Sequence, residues 1–259
     1  YKMQNYVNAK FRITQNMRPE DCFIFCSDDE VTVKHLDEIV LQCKKLPFTQ
    51  KGKVGEGAYA TDGEMHVNVE GTNEYKMFLD ELSLQGKHNI YNSMAAAIAG
   101  KVMKIDNSVI RESLTTFKNI EHRNEFVRML NGITFIKDSK GTNVDATYYA
   151  LDCLKTKVVW IAGGTDKGND YSELYDLIKE KVSALVCLGV DNAKLHECFG
   201  DKISKIVDTR SAADAVKEAY RLAKSGETVL LSPCCASFDL FKNYEDRGEQ
   251  FKKAVNELK

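Results

Sequence analysis

The chain has 259 residues, with 36 basic and 38 acidic side chains and a formal net charge of −2. That balance argues against a nucleic acid or an anionic membrane surface as the main partner, and a composition of 43% hydrophobic and 29% charged residues excludes wholesale disorder. No stretch approaches the roughly 20 apolar residues of a membrane span, no signal peptide opens the chain, and the eight cysteines, mainly in apolar runs, read as reduced thiols of a cytoplasmic protein rather than a disulfide scaffold.

The chain begins at Tyr1 within a helical pattern, Met3, Tyr6, Val7 and Phe11, with no cap residue before it, and so reads as a piece of something longer. Lys10 falls on the apolar face of this helix, where a cation is costly unless paired or modified. A side chain snorkelling from the edge of that face is the plainer account. Cys22–Cys26 predicts a buried strand, and Ser27-Asp28-Asp29 starts a helix over 31–44. Residues 51–57 are loop-like, and 59–69 predict a hairpin about Asp62-Gly63. Helices follow at 88–104 and 107–117, with a domain boundary near 118–121.

Beyond the boundary the rhythm changes. Asn131-Gly132 predicts a hairpin between 126–130 and 133–136. Buried-strand runs at 158–162, 184–188, 203–207 and 228–231 then alternate with helical patterns at 144–154, 171–179, 192–199 and 212–224, and a last helix runs from about Phe238. Such alternation predicts an α/β fold with a mostly parallel sheet flanked by helices, whose ligands bind at the carboxyl ends of its strands.

Four polar segments lie at such junctions. Asp138-Ser139-Lys140-Gly141-Thr142-Asn143 joins a strand to a helix, where free N–H groups and the helix dipole favour an anion; a capped helix behind a polar loop is the bland account. Gly163-Gly164-Thr165-Asp166-Lys167-Gly168 lets backbone approach a ligand and offers Lys167 to a carboxylate, or is merely a flexible loop. In Ser232-Pro233-Cys234-Cys235-Ala236-Ser237-Phe238-Asp239, Ser237 is a cap or a ligand contact, and the paired cysteines are small buried residues closing a turn rather than a metal site. Asn89 and Asn92 of Gly86-Lys87-His88-Asn89-Ile90-Tyr91-Asn92 share one helical face, which suits a purine edge, although capping by one asparagine is the commoner case. The chain lacks a G-x-x-x-x-G-K-[ST] phosphate loop, H-E-x-x-H and G-x-S-x-G.

Together with Glu121-His122-Arg123 and Phe241 to Gly248, these segments resemble, in content and order, the Mur ligases of peptidoglycan synthesis and cell wall biogenesis. Within that family they are most similar to the branch that adds D-glutamate to UDP-N-acetylmuramoyl-L-alanine. Single motifs are shared with folylpolyglutamate synthases, but the Ser-Pro-x-x-Ala-Ser-x-Asp-x-Phe run with its Arg-Gly tail is specific to the branch. The resemblance implies that residues 1–120 are the C-terminal part of a central ATP-binding domain and 121–259 a Rossmann-like domain that binds the amino acid. The UDP-binding domain, the phosphate loop and the Glu and His partners of Mg²⁺ are missing, so this chain alone is expected to be inactive.

By the same resemblance, ATP phosphorylates a carboxylate and the amine of D-glutamate attacks the acyl phosphate. Lys10 would be carbamylated and ligate Mg²⁺, and Lys140 would lie near the transferred phosphate. Asn89 and Asn92 would contact adenine, and Arg123 and Asp138 the ribose–phosphate side of ATP. Thr142, Lys167, Ser237 and the backbone at Phe238 would hold D-glutamate, with Tyr244 packed alongside. A bacterial cytoplasmic monomer, acting on no nucleic acid and no membrane, is expected. A related ligase, and a non-catalytic amino-acid or nucleotide-binding module, are the alternatives.

Overall fold

The apolar runs of strand length become two sheets, one in each of two units, Tyr1–Lys118 and Asn119–Lys259. The computed structural model describes residues 3–118 and 120–259; Tyr1, Lys2 and Asn119, the last within the expected boundary segment, lie outside the described residues.

The first unit runs α1 (Met3–Phe11), β1 (Cys22–Cys26), α2 (Glu30–Glu38), β2 (Lys44–Thr49), β3 (Gly57–Thr61), β4 (Glu64–Asn68), β5 (Tyr75–Phe78), α3 (Lys87–Val102) and α4 (Asn107–Thr116). Its sheet has the order β1-β2-β3-β4-β5, parallel from β1 to β3 and antiparallel from β3 to β5. Asp62 and Gly63 both take positive φ, as the tight hairpin turn requires. Alternate residues Met65, Val67, Tyr75 and Met77 face Met94, Ala97 and Ile98 of α3 in one core.

Two expectations fail here. The helix expected over 31–44 ends at Glu38, and the chain then enters β2 at Lys44. β2 has a weak strand signature because it carries two lysines and Pro47. The proline is tolerated because β3 joins β2 only from Phe48 onward. The short strand β5 is the other unexpected element.

The second unit runs β6 (Glu125–Leu130), β7 (Ile133–Lys137), α5 (Val144–Asp152), β8 (Val158–Ala162), α6 (Tyr175–Lys181), β9 (Val182–Leu188), α7 (Ala193–Phe199), β10 (Ile206–Thr209), α8 (Ala212–Leu222), β11 (Thr228–Leu231) and α9 (Tyr244–Glu257). The sheet order is β10-β9-β8-β11-β7-β6. Every pairing is parallel except the β6–β7 hairpin. One face is packed with residues of α8 and α9, the other with residues of α5, α6 and α7. A sheet covered on both sides explains why β8 reads as an unbroken apolar run, with all five residues buried. The helix expected from Phe238 starts instead at Tyr244, capped by the Asn243 side chain, which accepts from the Asp246 N–H; Ser237 is not its cap. The helix expected at 171–179 begins as a 3-10 turn, Ser172–Leu174, before α6.

Candidate active site

Sheet order, not sequence order, assembles the polar segments. β8, β11 and β7 are neighbours, so the segments that follow them leave the sheet side by side at their carboxyl ends: Gly163 after β8, Ser232 after β11 and Asp138 after β7.

Asp138 is 3% exposed. It accepts from the Ser232 hydroxyl at 2.8 Å and from the Asn124 N–H at 3.4 Å. Burial pushes its carboxyl up to about 6, against the opposing effects of the Ser232 and Asn124 hydrogen bonds and the charges of Arg123 and Arg247. Ser232 is fixed in turn by Thr147 of α5 at 2.9 Å, and its carbonyl accepts from the Trp160 indole at 2.7 Å. Gly141 lies so close that a Cβ there would stand 2.2 Å from Asp138 Oδ2.

The three segments are tied together by Arg247 of α9, which is 1% exposed. Its guanidinium donates to the Ser139 hydroxyl and carbonyl, at 3.1 and 2.9 Å, to the Cys235 carbonyl at 3.2 Å and to the Gly163 carbonyl at 3.5 Å. Thr165 and Ala236 pair as a short antiparallel bridge. Gly164, at φ 125°, makes that bridge possible, since a Cβ would stand 2.1 Å from the Ala236 carbonyl oxygen. Cys234 and Cys235 are buried, and Cys234 takes φ 60°, so they close a turn.

Around this frame stand the cations. Lys140 is exposed, with its amine 5.3 Å from the centre of the Tyr244 ring. The half-buried Tyr244 meets buried His122 edge-on at 5.8 Å. Arg123, next to His122, is exposed, and Thr142 is half-buried at the start of the α5 loop, whose helix is capped by Asn143.

Lys167 is exposed on the glycine loop. The adjoining Asp166 shapes that loop, accepting from the Gly168 and Asn169 N–H groups, the Tyr171 hydroxyl and the Lys194 amine. Burial pushes Asp166 up, but the Tyr171, Lys194 and backbone hydrogen bonds outweigh it and hold the carboxyl below its ordinary value. Ser237 is buried, while Phe238 is 71% exposed.

In the first unit Asn89 and Asn92 touch, the Asn92 amide donating to Asn89 Oδ1 at 3.3 Å. Asn89 donates to the Gln85 carbonyl and does not cap α3, whose N-cap is Gly86 without a side-chain bond. The pair borders a slot of about 140 Å³ walled by Leu84, Ala96, Leu114 and Phe117. Apolar walls with two amides at one rim suit a flat heterocycle with donors and acceptors on its edge.

Lys10 follows the plainer expectation. It is exposed with its amine 5.4 Å from the Tyr6 ring centre, and α1 buries Val7 alone among its residues. The cation is therefore not stranded on a buried face; it snorkels at the edge. No acidic residue stands in the first turn of α1, and among the described residues no ion pair joins Lys10 to a carboxylate. The residues around Lys10 do not by themselves fit a Mg²⁺ ion.

Sequence reasoning passed over Arg247, Ser139, Ser232 and Asp166 as individuals. All four lie inside the quoted motifs, but burial and cross-loop bonding leave no local signal.

The family model for the Mur ligase glutamate ligase domain matches residues 122–235, and that for the Mur ligase middle domain matches residues 1–100. The UDP-N-acetylmuramoylalanine–D-glutamate ligase of Christiangramia forsetii is 47% identical over 258 residues, which cover all of this chain and 58% of that protein. That of Bacteroides fragilis is 51% identical over 257 residues, covering 99% of this chain and 57% of its own. The chain thus spans under three fifths of the length of these relatives. Among solved structures, the MurF ligase of Thermotoga maritima in complex with ADP aligns with a TM-score of 0.63 at 15% identity, over 98% of this chain and 58% of that one. A folylpolyglutamate synthase of Thermotoga maritima aligns with 0.59 at 15%, over 88% of this chain and 55% of that one; likeness at such identity speaks for the fold. With both of its units matched, the chain belongs to the Mur ligase family.

Proposed function

We propose that the chain is the middle and C-terminal part of an ATP-dependent ligase that joins D-glutamate to UDP-N-acetylmuramoyl-L-alanine in bacterial peptidoglycan synthesis. The observation that carries this is identity of 47–51% along essentially the whole chain to ligases bearing that name. Residues 1–120 form the C-terminal part of the ATP-binding domain and 121–259 the domain that brings the amino acid. A cytoplasmic monomer is part of the same reading.

The reaction transfers the γ-phosphoryl group of ATP to the substrate carboxylate. The D-glutamate amine then attacks the acyl carbon, a C–N bond forms, phosphate leaves with the C–O bond electrons, and the amine proton passes to solvent. Anions crowd together in both steps, so placed cations lower the barrier. Lys140, steered by the Tyr244 ring, is the cation assigned to the transferred phosphate. Arg123 and Asp138 take the ribose–phosphate side of ATP. An Asp138 carboxyl near 6 is poised to accept or donate a hydrogen bond there. The slot beside Asn89 and Asn92 takes adenine. Lys167, Thr142, Ser237 and the Phe238 backbone hold D-glutamate, with Tyr244 alongside. Lys10 as a carbamylated Mg²⁺ ligand rests on resemblance alone, and no step is routed through it.

The full-length protein tests this reading. Phosphate release from ATP that requires both D-glutamate and UDP-N-acetylmuramoyl-L-alanine supports it. Turnover with a folate and L-glutamate instead would replace it with a folylpolyglutamate synthase, and nucleotide binding without turnover on either panel would leave a binding module.

A further inference from the structure

Away from the β7, β8 and β11 ends, the outer strands β9 and β10 carry a second convergence of reactive side chains. In their parallel pairing Cys187 lies opposite Asp208, so the two side chains emerge next to each other on the same face of the sheet. α7 crosses above that face and lowers His196 onto them. His196 Nε2 stands 3.0 Å from both Asp208 oxygens. One ligand atom each from Cys187, His196 and Asp208 lies within 4.8 Å of the others.

We propose that Cys187, His196 and Asp208 bind one divalent transition-metal ion of the zinc class.

The donor set selects the ion. One sulfur, one imidazole nitrogen and one carboxylate oxygen are the ligands of Zn²⁺ and its Co²⁺ analogue, whereas Mg²⁺ and Ca²⁺ take oxygen alone. Metal–ligand bonds of about 2.0–2.3 Å place tetrahedral donors roughly 3.3–3.8 Å apart, so an ion requires the His196–Asp208 contact to open slightly from 3.0 Å and the three donors, now within 4.8 Å of one another, to converge on one point. The carboxylate is already oriented: the Asn192 amide donates to Asp208 Oδ1 at 3.0 Å, the kind of outer bond that fixes a metal-binding carboxylate. Access is provided by a surface cleft of about 710 Å³ lined in part by Asn192, His196, Asp208 and Thr209. Three protein donors leave a fourth position for water from that cleft.

Cys187 is fully buried beside Asp208, and as a ligand its thiol must lose a proton. Binding exchanges the thiol proton for the metal: the S–H bond breaks, its electron pair becomes the S–metal bond, and one proton goes to solvent without any redox change. No cysteine spacing announces this site, because its ligands come from a strand, a helix and the next strand.

The test uses the whole chain, stripped with a chelator, titrated with Co²⁺ and then with Zn²⁺ against a chromophoric competitor. The expected result is one equivalent bound, with a thiolate-to-cobalt charge-transfer band that Zn²⁺ displaces. Cys187→Ala abolishes the band, and His196→Gln and Asp208→Asn each weaken Zn²⁺ binding at least about tenfold. Cys198→Ser, on the same helix as His196, leaves band and affinity unchanged. His196 and Asp208 are exposed, so their variants decide the matter even if Cys187→Ala fails to fold. Absence of the band in the parent chain, its survival in Cys187→Ala, or unaltered affinity in both the His196 and Asp208 variants overturns the site and leaves an ordinary His–Asp ion pair beside a buried thiol.

Discussion

Burial sets the Asp138 carboxyl near 6 in the folded chain, against about 3.9 for an unfolded aspartate. Folding therefore favours its protonated form. The stability gained from protonated Asp138 is complete below about pH 4 and is lost as pH rises through about 6, a swing of about 3 kcal/mol. Asp138→Asn keeps an acceptor for Ser232 and removes the titration. The variant is expected to be more stable than the parent by about 1–3 kcal/mol near pH 8, with the gap closing toward pH 4. Urea melts across that range check this, and a gap that does not change with pH refutes it. Arg247 behaves oppositely, since its fork satisfies the carbonyls of Ser139 and Cys235 in a dry interior. Arg247→Met fills the space but orphans those oxygens, and should cost about 3 kcal/mol in denaturant melts. A loss below about 0.5 kcal/mol, within the range of ordinary surface changes, would show that water replaces the guanidinium. The Arg-Gly tail was visible in the sequence as part of a motif, but its work of joining three loops was not, because nothing near residue 247 marks its partners 12, 84 and 108 positions upstream.

At the scale of elements, periodicity served best where both faces of a strand are covered. The runs at 158–162 and 228–231 match β8 and β11 residue for residue, because a doubly buried strand admits almost no polar residue. It served worst where one face is wet or the strand is short: β2, with Lys44, Lys45 and Pro47, carries no clear strand signal and meets the expected helix only at Lys44, and β5 alternates buried and exposed over only four residues. The polar junctions after β7, β8 and β11 were legible as loops with chemistry. Their adjacency was not, since it depends on β11 inserting between β7 and β8. The slot beside α3 was half legible: Asn89 and Asn92 share a face by helical spacing, while its walls at Leu114 and Phe117 arrive from α4 and the residue after it. Ala96 lines the slot one turn beyond Asn92 and is itself exposed, so Ala96→Phe should fill the space with little loss of fold. In the full-length enzyme the expected effect is a rise of at least about tenfold in KM for ATP, the equivalent of about 1.4 kcal/mol, with D-glutamate KM unchanged. An unaltered KM for ATP would move the adenine elsewhere.

For the molecule as a whole, what matters is that each unit has its own core and that every residue assigned to D-glutamate lies in the second. Thr142, Lys167, Ser237 and Phe238 stand on loops, and Tyr244 at the start of α9, already braced by Arg247, Asp166 and the Thr165–Ala236 bridge. A braced site loses little entropy on binding, so recognition of the amino acid should not need ATP. Calorimetric titration of this chain with D-glutamate is expected to show binding, and titration with L-glutamate none. Lys167 is exposed, so its contact with a substrate carboxylate is partly screened; Lys167→Ala should weaken D-glutamate binding roughly tenfold, about 1–2 kcal/mol, rather than by the larger loss of a fully buried pair. Equal binding of both enantiomers would mean that the loops hold the carboxylates without reading the stereocentre. Absence of binding for either would place recognition after ATP or the acyl phosphate has arrived, because the missing contact would then have to come from the other substrate rather than from a loop this unit already holds in place.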